Sequence, residues 1–122
     1  MTIDDARKFY SQLIENAQSQ NRKKIKGGTY YERHHIIPRS LGGLDIKENI
    51  VLLTGREHFE AHQFLVKMYQ SGSDEWRKMA YACHKMTHGL QKSKYDITID
   101  EFEFVREIAS LAAHRKKVSR RY

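Results

Sequence analysis

The sequence predicts a mostly helical α+β fold, in the order helix, two strands, three helices. Two observations carry this. Apolar residues recur at helical spacing near the N-terminus, in the middle and twice in the C-terminal half, while β-rich runs occur only between residues 29 and 54. Breaks such as "GG" at 27–28 and "SGSD" at 71–74 fall between these segments.

The first helix is predicted over 3–20, where Ala6, Phe9, Tyr10, Leu13, Ile14 and Ala17 share one face. Thr2 with Asp4 and Asp5 suits its start. A basic linker, "NRKKIKGG" (21–28), follows. "TYYERHHI" reads as a strand in which Tyr30 and Tyr31 alternate, so that one packs inward. "IPRSLGGLDIKE" reads as a loop: Pro38 cannot donate to a ladder, and Gly42 and Gly43 permit positive φ. "NIVLLT" (49–54) is the second strand. Thr54 then caps a helix from about Arg56 to Tyr69, with Ala61, Leu65, Val66 and Tyr69 on its apolar face. Ser73 caps the next helix, whose stripe is Trp76, Met79, Ala80 and Cys83. Residues 87–97 read as irregular and basic. "TIDE" (98–101) has the capping-box pattern and opens the last helix, with Phe102, Val105, Ile108, Ala109 and Ala112 on one face. The tail "HRKKVSRRY" is strongly basic.

With 122 residues, one domain with a modest core is expected. No apolar run approaches a membrane span, and "MTIDDARKFY" lacks the basic start and apolar stretch of a signal peptide. An intracellular, cytoplasmic protein without a membrane partner is therefore expected. The single cysteine, Cys83, excludes an intramolecular disulfide and a multi-cysteine zinc site. Lys and Arg total 22 against 15 Asp and Glu, a net charge of +7, which points toward a polyanionic partner, nucleic acid foremost.

Four histidines fall in the central strand–loop–strand–helix unit: His34, His35, His58 and His62. His58 and His62, at i and i+4, stack on one helix face, a spacing that lets two imidazoles reach one ion. The residue after His58 is Phe59, so the general-base glutamate of a zinc protease motif is absent. A third ligand must come from outside the helix, and the obvious candidates are His34 and His35, which point to opposite faces of a regular strand. One can face the metal, leaving the other as a general base, a role suited to an imidazole's titration near neutrality. Glu32 shares His34's face, either as an acceptor for a ligand histidine or, the reading favoured here, as an ion-pair partner for an arginine. His84, His88 and His114 belong to no motif and read as surface or structural.

"ERHHIIPRSLGGLDIKENIVLLTGREHFEAH" resembles the HNH endonucleases of the ββα-metal class, and the small phage HNH enzymes grouped with homing endonucleases in particular. The features that carry this are the histidine pair, P-x-S-x-G-G in the loop, Asn49 opening the second strand, and helix histidines nine and thirteen positions after it. The resemblance implies a central ββα-metal hairpin–helix motif over about 30–69. An N-terminal helix and two C-terminal helices flank it in a single nuclease domain over 1–122. It implies a metal-dependent DNA endonuclease that leaves 5′-phosphate and 3′-hydroxyl ends, phage-encoded in a bacterial host. Two catalytic positions are matched: His35 as the general base and Asn49 as the asparagine that braces the loop. His34 and His58 match metal ligands, and His62 matches a further ligand of the colicin-like branch. Many relatives carry Asp and Asn at the His34 and His58 positions. Three imidazoles favour Zn, Ni or Co, whereas Mg or Mn would serve in function with substrate oxygens completing the shell.

Double-stranded DNA is the expected partner. Arg39 and Arg56 are candidates to hold a phosphate near the metal. Arg22, Lys23, Lys24 and Lys26 in the linker, with Arg115, Lys116, Lys117, Arg120 and Arg121 in the tail, are candidates to follow the backbone. A homing enzyme needs a long recognition surface, which a chain of this size offers only as a homodimer. The competing readings are a DNA-binding module with a purely structural metal and a nonspecific, toxin-like nuclease.

Overall fold

A computed structural model describes residues 1–88 and 92–119. It has helix α1 (Ile3–Ser19), strands β1 (Glu32–His35) and β2 (Ile50–Leu53), and helices α2 (Gly55–Lys67), α3 (Asp74–Lys85), α4 (Lys92–Tyr95) and α5 (Ile99–Ser119). The mostly helical α+β class and the order of elements are as expected. Not anticipated were α4, a single turn in the segment read as irregular, and two 3₁₀ turns, Arg39–Leu41 and Lys47–Asn49, between the strands.

Each long helix starts where its capping residue stands. Thr2 and Asp5 close a capping box at α1, and Thr54 and Glu57 close one at α2. Thr98 and Glu101 exchange the same pair of bonds before α5, while the Ser73 hydroxyl accepts from the Trp76 N–H at α3. Such caps contribute about 1 kcal/mol each. The two strands pair antiparallel with His34 opposite Val51 and His35 opposite Ile50. A two-stranded ribbon is unstable alone. Here β2 packs on α1, and α2 crosses beneath both strands.

One apolar core joins these elements. α1 contributes Ala6, Tyr10, Ile14 and Ala17, β2 contributes Val51 and Leu53, and α2 contributes Phe59, Ala61, Leu65 and Val66. Trp76, Met79, Ala80 and Cys83 of α3 and Val105 and Ile108 of α5 complete it. Phe9, expected on the buried face of α1, is substantially exposed. Tyr95 is buried although it belongs to the polar segment. Its approach depends on Gly55, where a β-carbon would overlap the Lys94 carbonyl.

Two ion pairs fasten the outer segments. The Arg22 guanidinium makes two bonds to Glu57, at 2.6 and 3.0 Å, and a third to the Leu52 carbonyl. It lies over the Tyr31 ring. Arg56 grips Glu101 with two bonds of 2.7 Å, and Gln63 adds a third at 2.6 Å. Burial opposes charge on Glu101, yet the bonds from Arg56, the Thr98 backbone and Gln63 outweigh it and hold the carboxyl at about 2. A folded-state value below the unfolded one stabilises the fold above the ordinary glutamate range, and that stability is lost as pH falls toward 2. Glu101→Gln is therefore expected to cost about 2–3 kcal/mol at pH 7. In urea denaturation the gap to the wild type should close as the pH is lowered below about 4. A gap that stays constant with pH would show that the carboxylate's charge is not what anchors α5.

Candidate metal and catalytic site

β1 delivers His34 inward, where it is only 3% exposed. α2 delivers His58 and His62 from one face, one turn apart. The three rings form a nearly equilateral triangle, with centroids 5.1, 5.2 and 5.0 Å apart. One nitrogen from each lies within 4.8 Å of the others.

The protonation of this cluster suits a cation. Burial, reinforced by His62, His58 and His35, pushes His34 well below the usual imidazole range. Burial and the neighbouring His58 bring His62 down to about 3. Both rings are therefore neutral near pH 7, the form that ligates. The Nδ1 of His62 is buried without a hydrogen-bond partner. An unsatisfied buried nitrogen is costly. A cation held among the rings gives such a group a role, so the residues present fit a divalent metal.

Glu32 lies beside the triangle. Its Oε1 accepts from His58 Nδ1 at 2.8 Å, and its Oε2 accepts from the Tyr30 and Tyr95 hydroxyls. Burial disfavours charge on Glu32, but these bonds prevail and keep the carboxyl below its ordinary range. The arginine ion pair expected for Glu32 is thus corrected: its partner is a histidine. A carboxylate on Nδ1–H leaves the lone pair of His58 on Nε2 and raises that atom's basicity.

His35 stands on the other side of the strand. Its Nε2 lies 3.0 Å from Asp45 Oδ1, and its side chain is 26% exposed. Arg33 also approaches Asp45, at 3.7 Å. The bond from His35 is the main influence holding Asp45 below its usual range. His34, His35, His58 and His62 line one cleft of about 240 Å³ together with Arg33, Pro38, Arg39, Ser40, Met79 and Ala82. α3 thereby supplies a wall that the hairpin–helix unit lacks. A larger groove of about 610 Å³, between α3 and α5, is mostly apolar and has none of the converging imidazoles.

Asn49 does not line the cleft. It is buried and bonds the loop: Oδ1 accepts from Ile37 N–H, and Nδ2 donates to the Ile37 and Leu44 carbonyls. Gly42 has the positive φ expected of it, +95°, whereas Gly43 serves close approach, since a β-carbon there would overlap the Ile37 carbonyl. These features hold residues 37–49 as a compact loop that brings Asp45 back to His35.

The arginines divide sharply. Arg39 is exposed at the cleft. Arg56 and Arg22 are both ion-paired, to Glu101 and Glu57; the Arg56 side chain is 38% exposed and the Arg22 side chain only 8%. Lys23, Lys24 and Lys26 are exposed. Arg120 and Arg121, and the side chains of Arg115, Lys116 and Lys117, lie outside the described residues. Sequence reasoning missed Asp45, Arg33, Tyr10 and Tyr95 at the site. Only Asp45 carried a signal, as a carboxylate in the loop beside a candidate base.

Comparison with known proteins then shows a consistent set of relatives. Over 62 residues, 51% of the chain, it is 53% identical to the probable mobile endonuclease E of Enterobacteria phage T4, covering 41% of that protein. It is 47% identical over 62 residues to the probable mobile endonuclease D of the same phage, covering 24% of it. Over 68 residues it is 42% identical to an uncharacterized 38.5 kDa protein in psbA intron 1 of Chlamydomonas moewusii, covering 20% of that protein. The match thus spans well under half the length of each relative. No family model matches the chain, and no solved structure matches it.

Proposed function

We propose that this chain is a metal-dependent endonuclease of the HNH type acting on double-stranded DNA, akin to the mobile enzymes of phages, with residues 1–122 forming one nuclease domain. The observation that carries this reading is the pairing of two kinds of histidine in one cleft. Three imidazoles, His34 buried and His58 and His62 partly buried, converge as candidate ligands, and a fourth, His35, lines the same space without joining them. The identity to T4 mobile endonucleases over half the chain supports it. A purely structural metal has no use for His35 or for its carboxylate partner, which disfavours the binding-module reading.

His34, His58 and His62 would hold the cation. When bound, it supplies charge neutralisation at the scissile phosphate and the leaving oxygen. The chain's own residues do the rest. His35 donates Nε2–H to Asp45 and offers Nδ1 to take a proton from the attacking water. Arg39 and Arg33, both exposed at the cleft, hold non-bridging phosphate oxygens. Asn49 keeps the loop, and with it Asp45, in place. Lys23, Lys24 and Lys26 follow the DNA backbone at a distance from the chemistry.

The test is nicking of supercoiled plasmid with Mg, Mn, Co, Ni or Zn added in turn to chelator-treated protein. Cleavage is expected to require a divalent ion and to stop when chelator is restored, leaving 5′-phosphate ends. Cleavage that persists at full rate in excess chelator would overturn the metal-dependent reading.

A further inference from the structure

We infer that Tyr10 of α1 is a positioning residue for the metal site. It locks His34 in the Nε2–H tautomer, so that this ligand can bind a cation only through Nδ1. The inference rests on reading His34, His58 and His62 as a metal site.

The argument is one of proton counting. The Tyr10 hydroxyl lies 2.7 Å from the Ile36 carbonyl oxygen and 2.7 Å from His34 Nε2. A phenol has one proton and can also accept. A carbonyl oxygen can only accept, so the contact with Ile36 requires the Tyr10 proton to lie on that line. The contact with His34 must then run the other way, with Nε2–H donating to the phenol oxygen. The opposite arrangement would set two oxygen lone pairs against each other at 2.7 Å, in an environment where Tyr10 is only 7% exposed and His34 3% exposed. The lone pair of His34 is therefore on Nδ1, which no protein group bonds among the described residues.

This gives α1 a role beyond packing. Tyr10 sits between Ala6 and Ile14 on the buried stripe and fills core space as any aromatic could. A phenylalanine would keep the ring and its edge-on contact with His34, whose centroid is 6.0 Å away. Only the hydroxyl selects the tautomer. Two ligands are thus set by different groups: His58 by a carboxylate on its Nδ1, His34 by a phenol on its Nε2. The N-terminal helix becomes part of the site although none of its residues lines the cleft.

The test combines nitrogen-15 NMR of the histidine rings in metal-free protein with Zn and Co(II) titration of wild type and Tyr10→Phe. In the wild type, His34 is expected to show a protonated Nε2 and an unprotonated Nδ1. Tyr10→Phe should keep the helical circular dichroism, populate both tautomers of His34, weaken metal affinity about 10–100-fold and shift the Co(II) spectrum. A wild-type His34 protonated on Nδ1 would overturn the inference without any variant. So would a folded Tyr10→Phe that binds metal with wild-type affinity and keeps the tautomer. If the wild type binds no metal while the tautomer is as stated, the metal-site reading fails, and with it the positioning role.

Discussion

Replacing His35 by alanine is expected to lower DNA cleavage about 10²–10⁴-fold while leaving metal affinity within about twofold. His35 is not one of the three converging ligands, so its loss leaves the metal donors complete. Its side chain is about a quarter exposed and belongs to no buried cluster, so the fold should survive. What disappears is the imidazole that Asp45 orients at the cleft. Asp45→Asn should fall between wild type and His35→Ala, because an amide still bonds the ring but no longer supports positive charge on it once the proton has moved. The measurement is single-turnover nicking at saturating metal, paired with a metal titration of the same samples. His35→Ala cutting at the wild-type rate would remove His35 from the chemistry, whatever the state of the metal site.

The second large effect is the loss of a proposed ligand. His58→Ala is expected to abolish metal binding and cleavage together, because it removes one corner of the triangle and strips Glu32 of its imidazole donor. Glu32 keeps the Tyr30 and Tyr95 hydroxyls, so the carboxylate is not left bare. A ligand that binds only the folded state raises stability by about 2.7 kcal/mol at 100 times its dissociation constant. Wild-type protein should therefore melt several degrees higher when Zn or Co is added, and His58→Ala should not respond. A full metal-induced shift in melting temperature in His58→Ala would place the ion elsewhere. The two variants separate the roles: one keeps the metal and loses the chemistry, the other loses both.

What was legible from the residues has a common character. Helix starts could be read because Thr2, Thr54, Ser73 and Thr98 cap through bonds to groups three residues away. The separation of His34 from His35 follows from strand alternation, and the pairing of His58 with His62 from the helical repeat. The role of Gly42 follows from its own φ. Even α4 escaped notice for a local reason: one helical turn with a single apolar anchor, Tyr95, has no periodicity to detect.

What could not be read depends on residues far apart in the chain. Arg22 and Arg56 look like any other cations among the 22 lysines and arginines. Glu57 and Glu101, 35 and 45 residues away, pair with them, while Arg39 and the lysines of the linker face outward. Glu32 looked like a surface ion-pair residue until α2 brought His58 against it, 26 residues on. Tyr10 looked like core, and 24 residues separate it from the histidine it bonds. By itself the sequence determined the long helices, the two strands, their caps and which histidines share a face, because those depend on backbone geometry within a few residues. The tertiary structure alone decided which charges are paired and which side chains close the cleft, because hydrogen bonds form only between groups that folding has brought within about 3 Å.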